Sequence, residues 1–213
     1  MSAQRTPAGR LGRAALWAIT LAVLVFLVAP IVAIVPLSFS SGSFLHYPLP
    51  GLSLRWYREV FESPFWVNAV INSLVIGAGA TALATTLGTL AAFGLWLARF
   101  PGRSVVLAVL ISPMVVPSVV VAVGLLFAYA PVGLTNTYAG MILAHTALAA
   151  PFVVVTVSAT LAGFDRTLLR AAAANGAGPV TAFRRVVLPL IAPGVVAGAL
   201  FAFAISLDEV VVA

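Results

Sequence analysis

Five apolar stretches, at residues 14–37, 67–98, 104–130, 138–162 and 188–213, divide this chain. A helix needs about 20 residues to cross a ~30 Å hydrocarbon core, and each stretch is long enough. Backbone N–H and C=O groups in lipid must be satisfied within the protein, which restricts uninterrupted apolar runs of this length to helices. The expectation is therefore an all-α membrane protein, a polytopic helical bundle with five spans. Composition agrees: of 213 residues, 62% are hydrophobic and 8% charged, with a mean hydropathy of +1.17. A soluble domain carries about a quarter charged residues, so this chain cannot clothe itself in a polar surface. The first stretch follows Arg5, Arg10 and Arg13 in the manner of a secretory signal. It is too long for one, and further spans follow.

The charges fix an expected orientation. The formal net charge is +6, but the basic residues are strung between apolar runs and form no patch for nucleic acid. With the N-terminus inside, the inner segments hold Arg5, Arg10, Arg13, Arg99, Arg103, Arg166, Arg170, Arg184 and Arg185, and the outer ones only Arg55 and Arg58. That bias follows the positive-inside rule and predicts a cytoplasmic N-terminus. There is no lysine, so no GxxxxGK[ST] phosphate loop exists in the chain. Nucleotide energy would have to come from another subunit. Without cysteine there is neither a disulfide nor a thiolate metal site, and no metal-binding or catalytic residues are expected.

Residues 38–66 form the longest outer segment. In LSLRWYREVFESPFW, residues Trp56, Tyr57, Val60 and Phe61 share one helical face. This suits an interfacial helix anchored by aromatics, or a contact with an external partner. Pro113 and Pro117 in the third stretch, and Pro151 in the fourth, each remove a backbone donor and favour kinks. Gly77, Gly79, Ala80, Ala84, Gly88, Ala91 and Ala92 would let the second span approach its neighbours closely. No soluble domain and no paired, broken half-repeats of a secondary transporter are legible.

One segment does not belong in lipid: residues 163–187, which include RAAAANGAGPVTAFRR. Asp165 is a plausible N-cap, TLLRAAAAN has high helix propensity, and Asn175-Gly176 is a left-handed terminator. Pro179 can open a second helix, after which Leu188-Pro189 is expected to turn the chain into the membrane. Short helices of this kind are marginal alone. They dock into a groove on a soluble partner, or rest on headgroups with Arg166, Arg170, Arg184 and Arg185 on anionic membrane lipid.

Here the sequence resembles the inner-membrane permeases of binding-protein-dependent ABC importers, whose loop reads EAA, three residues, Gly, nine residues, Ile-x-Leu-Pro. Ala171, Ala172, Gly176, Leu188 and Pro189 match at that spacing; Val186 replaces the isoleucine and Arg170 the glutamate. LSLRWYREVF, NSLVIGAGATALATTLGTLAA, AHTALAAPFVVVTVSATL and SLDEVVVA look like the spermidine/putrescine-type branch. The resemblance implies the type I importer permease fold. Residues 1–66 then hold the N-terminus, first span and outer loop, and 67–213 the permease core with coupling loop 163–187. The branch normally has six spans, so the core is expected to be C-terminally incomplete, with the sixth absent.

The same resemblance implies partners and a mechanism. ATPase-coupling residues would be Arg170, Ala171, Ala172, Gly176, Val186, Leu188 and Pro189, engaging cytoplasmic ATPase subunits that bind ATP. A second permease subunit, homologous or identical, and a periplasmic or lipid-anchored solute-binding protein complete the expected assembly in the bacterial inner membrane. Asp208 and Glu209 lie near the outer end of the last stretch, where they either cap and snorkel or face the path of a cationic solute such as a polyamine. His145 is expected to donate a packing hydrogen bond. The competing function is an ion-gradient-driven transporter or channel, with Asp208, Glu209 and His145 as relay groups.

Overall fold

The structure, a computed structural model, describes residues 7–212, with side chains from Gly12 onward. Arg5, Ala213 and the side chain of Arg10 lie outside the described residues. The elements are helical: α1 (Pro7–Leu37), α2 (Arg55–Glu62), α3 (Pro64–Leu97), α4 (Arg103–Ile111), α5 (Ser118–Tyr129), α6 (Tyr138–Ala162), α7 (Thr167–Ala174), α8 (Pro179–Ala182) and α9 (Leu188–Asp208). The chain forms two compact units, Met1–Asn68 and Ala69–Ala213.

In the first unit, α1 contains a 26-residue apolar span, Gly12–Leu37, none of it buried. Its C-terminal end is tied to the following segment by polar contacts. Tyr47 Oη donates to the Ala33 carbonyl at 2.7 Å, and the Ser38 and Tyr57 hydroxyls lie 2.7 Å apart. Tyr57 also packs on Phe39, with ring centroids 5.3 Å apart. Trp56 is half-buried, and the Arg55 guanidinium lies 4.2 Å from its ring.

The second unit is organised around α3, α6 and α9. Ala84, Ala92, Val153, Val157, Leu161, Val187, Ile191 and Ala202 form one buried cluster. Small residues set the spacing between these helices. A Cβ added at Gly88 would lie 2.8 Å from the Val153 Cβ, and one at Gly79 2.8 Å from the Ile142 Cδ1. These pairs advance together along the chain, so α3 and α6 run parallel. The helix α9 is antiparallel to both: Gly194 abuts Thr160, Gly198 abuts Thr156, and Gly77 abuts Phe203. The small residues expected to permit close approach do so at Gly77, Gly79, Ala80, Ala84, Gly88 and Ala92, while Ala91 is only half-buried.

Two expectations need correction. The third stretch is not one helix. It is Arg103–Met114 and Ser118–Val132, bent by 102° at the break. The cause is local: Pro113 sits in a 3-10 turn (Ser112–Met114), and Pro117 takes an extended conformation at the N-cap of α5. Neither proline can continue the N–H ladder. By contrast, Pro151 leaves α6 unbroken over 25 residues.

The second correction concerns the last stretch. Leu188-Pro189 does not turn the chain; α8 runs through a π-helical segment (Phe183–Val187) directly into α9, making a 30-residue span from Pro179 to Asp208. The Leu188 N–H reaches the Phe183 carbonyl, five residues back. Widening the turn makes room for the Pro189 ring, which in a regular helix would collide with the carbonyl four residues before it. The helix ends at Asp208, short of the expected 213, and Glu209 is already extended.

Candidate functional site

Loop 163–187 joins α6 to α9. Its first turn is built by Asp165, whose carboxylate accepts from the Thr167 backbone N–H at 2.8 Å and the Thr167 hydroxyl at 2.6 Å. The helical cap position itself falls on Arg166, one residue later than expected. Hydrogen bonds from the Thr167 hydroxyl, then from its N–H, hold the Asp165 pKa below its ordinary value, and the Arg170 charge adds to the effect. Asp165 is therefore an anion at neutral pH, placed where exposed N–H groups and the positive end of the α7 dipole favour one.

The other end of α7 closes in a Schellman motif. The Gly176 N–H bonds the Ala173 carbonyl at 2.9 Å, and the Ala177 N–H bonds the Ala172 carbonyl at 3.0 Å. Gly176 has φ = +80°, the left-handed conformation that a side chain would oppose. The chain restarts at Gly178, which is extended, and Pro179 occupies the first turn of α8. The helix–corner–helix path expected of this segment is thus formed, apart from the continuity of α8 with α9.

The residues singled out for coupling are spread along this path. Arg170 and Ala171 are exposed on α7, while Ala172 is half-buried. Gly176 makes the corner. Val186 is half-buried in the π segment, and Leu188 and Pro189 open α9 beside the fully buried Val187 and Ile191. The α7 helix has no fully buried residue; Leu169 packs against the core, while Leu168, Arg170, Ala171, Ala173 and Ala174 are exposed. Arg184 and Arg185 are exposed beside Val180 and Thr181.

The acids of α9 lie elsewhere. Asp208 is exposed at the end of the helix. The Glu209 carboxylate accepts from the N–H groups of Val211 at 2.8 Å and Val212 at 3.1 Å, capping its own turn. A cavity of ≈ 310 Å³ between α5 and α6 is lined by Leu126, Tyr129, Asn136, Met141 and Val211 among others, and by neither acid. His145 is buried and faces α9, with Nδ1 2.8 Å from Ser206 Oγ. No cluster of three metal-ligating side chains occurs among the described residues.

Sequence reasoning missed one group of residues. Phe93 and Trp96 at the end of α3 meet Phe164, Arg166 and Phe183 from the two mouths of the loop. The available signal was aromatic residues flanking the ends of apolar spans, where interfacial rings gather.

These features define the class, and comparison with known proteins confirms it. Residues 84–213 match the family described as "Binding-protein-dependent transport system inner membrane component". The chain belongs to this family: it is a multi-pass inner-membrane permease subunit of an ABC importer. It is 38% identical over 187 residues to the spermidine/putrescine transport system permease protein PotC of Haemophilus influenzae, covering 88% of this chain and 72% of that protein. It is 34% identical over 191 residues to PotC of Escherichia coli K12 (90% and 72%). To the putrescine transport system permease protein PotI of the same strain it is 35% identical over 197 residues (88% and 69%). Family membership overturns the competing expectation of an ion-gradient-driven transporter or channel.

Proposed function

We propose that this chain forms one half of the solute path of an ATP-driven importer, that its solute is a polyamine or a similar small organic cation, and that loop 163–187 docks on a separate cytoplasmic ATPase. The observation that carries the coupling role is α7. It is a short helix with no fully buried residue, set on the bundle by Leu169 and ended by a left-handed corner, and it leaves Leu168, Arg170, Ala171, Ala173 and Ala174 exposed. Such a face is complementary to a groove on a soluble partner. The solute class rests on the relatives, whose names specify spermidine and putrescine.

The geometry supplies a route for force. The loop is continuous with α6 at one end and, through α8 and the π segment, with α9 at the other. Gly194 and Gly198 seat α9 so closely on Thr160 and Thr156 that the two helices form one packed unit. Closure of an ATPase dimer on ATP would displace α7 and carry α6 and α9 together, opening the path alternately to either side. The nine-to-two distribution of arginines supports a cytoplasmic N-terminus and loop. A second permease subunit completes the path, and a solute-binding protein delivers the cation from outside. Exposed Asp208 is the candidate for admitting it, since the Glu209 carboxylate is engaged by its own backbone.

Uptake of radiolabelled spermidine into proteoliposomes holding the chain with its cognate ATPase, second permease and binding protein tests this reading. Uptake should require ATP and ignore a protonophore, and Asp208→Asn should depress it while leaving the complex assembled. Uptake driven by an imposed proton gradient without ATP would contradict the coupling role, and absence of spermidine uptake would contradict the solute class.

A further inference from the structure

The last turn of α3 has no basic residue of its own to meet its unpaired carbonyls. The loop supplies one. Arg166 Nη2 donates to the Trp96 carbonyl, and the same guanidinium lies 4.4 Å from the centre of the Trp96 ring. A planar, permanently charged guanidinium can make both contacts at once; a lysine ammonium cannot stack in this way. Around this pair the rings interlock. Trp96 meets Phe164 edge to face at 5.5 Å and lies 5.9 Å from Phe93, which in turn packs on Phe183 at 4.8 Å. Phe164 and Arg166 are at the entrance of loop 163–187, and Phe183 is at its exit. Both mouths of the loop therefore grip one turn of α3.

Elsewhere α3 meets its neighbours by apolar packing, with Phe203, Ile142 and Val153 seated against Gly77, Gly79 and Gly88. Its buried positions are mostly Gly77, Ala80, Ala84, Gly88 and Ala92, and the hydroxyls of Thr81, Thr85 and Thr89 are buried without a partner. Among the described residues, side-chain hydrogen bonds join α3 to other elements at two places: Asn72, which accepts from Tyr138 Oη at 2.5 Å, and Trp96. Small residues let helices pack closely through van der Waals contact, without a directional polar hold. The directional hold near the loop is the aromatic–guanidinium cluster.

We infer that this cluster is the joint through which movement of loop 163–187 reaches α3, making Trp96 and Arg166 positioning residues for coupled transport. The inference rests on the docking role proposed above. With the joint intact, α3 follows α6 and α9 when the loop is displaced. With it broken, the ATPase still acts on the loop while α3 lags, and hydrolysis continues without productive opening of the path.

The test is uptake of radiolabelled spermidine per ATP hydrolysed, measured on the fully assembled complex in proteoliposomes for Trp96→Leu and Arg166→Gln. Arg166 is exposed, so its replacement spares the core, and Trp96→Phe keeps a ring should the leucine variant misfold. Uptake per ATP should fall about tenfold in Trp96→Leu and Arg166→Gln, within the range typical of coupling between sites. Hydrolysis should persist, and Trp96→Phe should restore most of the ratio. An unchanged ratio, or uptake and hydrolysis falling in parallel with assembly, overturns the joint and leaves the docking role intact. A wild-type complex without ATP-dependent spermidine uptake overturns the function on which the joint rests, and the joint with it.

Discussion

His145 Nδ1 lies 2.8 Å from Ser206 Oγ, a buried hydrogen bond that pins α6 to α9 on the side of the bundle away from the loop. Nε2 of the same ring is buried without a partner. The arrangement is a packing contact between antiparallel helices. Interhelical hydrogen bonds of this kind contribute about 0.6–1.7 kcal/mol. Ser206→Ala should lower the stability of the detergent-solubilised protein by about 1 kcal/mol while leaving uptake per folded molecule unchanged. Thermal melts alongside transport assays check this, and a selective loss of uptake would make the pair functional.

Gly194 and Gly198 predict a larger structural effect. A Cβ at Gly194 would collide with the Thr160 hydroxyl; one at Gly198 would lie 2.6 Å from Thr156 Oγ1 and 3.1 Å from the Val153 Cα. Overpacking of a tight interface costs about 1–3 kcal/mol. Gly198→Ala should destabilise α6–α9 packing by that order, and Thr156→Ala should rescue it only in part, because the Val153 backbone remains in the way. Thermal melts of the single and double variants give the comparison.

The corner of the loop separates backbone strain from packing. Nothing lies within 4 Å of a Cβ built at Gly176, so its φ of +80° alone governs substitution. Gly176→Ala should cost about 1–2 kcal/mol of local stability, and Gly176→Asn less, since asparagine tolerates this conformation. The effect should appear as lost amide protection at Ala177 and weakened ATPase coupling, with membrane insertion unchanged. Equal behaviour of the alanine and asparagine variants would exclude a conformational cause.

Arg170 stands where the EAA loop pattern that this segment resembles has a glutamate, and it is exposed on α7. On the proposed docking role, the ATPase surface facing it is expected to present an acidic or neutral side chain. With the cognate ATPase, Arg170→Glu should therefore weaken coupling through like-charge repulsion or a lost pairing. ATP hydrolysis stimulated by the assembled permease measures this, and markedly improved coupling would contradict it.

What was legible in the sequence follows from what each signal depends on. Membrane spans announce themselves by length and apolarity alone, and α6 begins and ends at the expected residues, Tyr138 and Ala162. The Gly176 corner was equally readable, because its hydrogen bonds close within six residues. The break near Pro113 and Pro117 was visible only as a tendency, since a proline favours a kink without setting its angle, here 102°. The junction at Leu188-Pro189 misled because a proline before an apolar run reads as a turn. A π segment absorbs it instead, making room for the Pro189 ring while the helix continues past the buried Val187 and Ile191. The Trp96–Arg166 contact spans 70 residues, so no local pattern encodes it.

The central claim, that loop 163–187 meets a cytoplasmic ATPase, is tested most directly by placing a cysteine on α7. The chain has none of its own, and Ala173 is exposed, so Ala173→Cys can carry a photoactivatable crosslinker without competing sites. In membranes containing the cognate partners, the adduct should contain the ATPase subunit, and a membrane-impermeant maleimide should block it only from the cytoplasmic side. An adduct with the external solute-binding protein, or labelling from the outer face, would contradict the account.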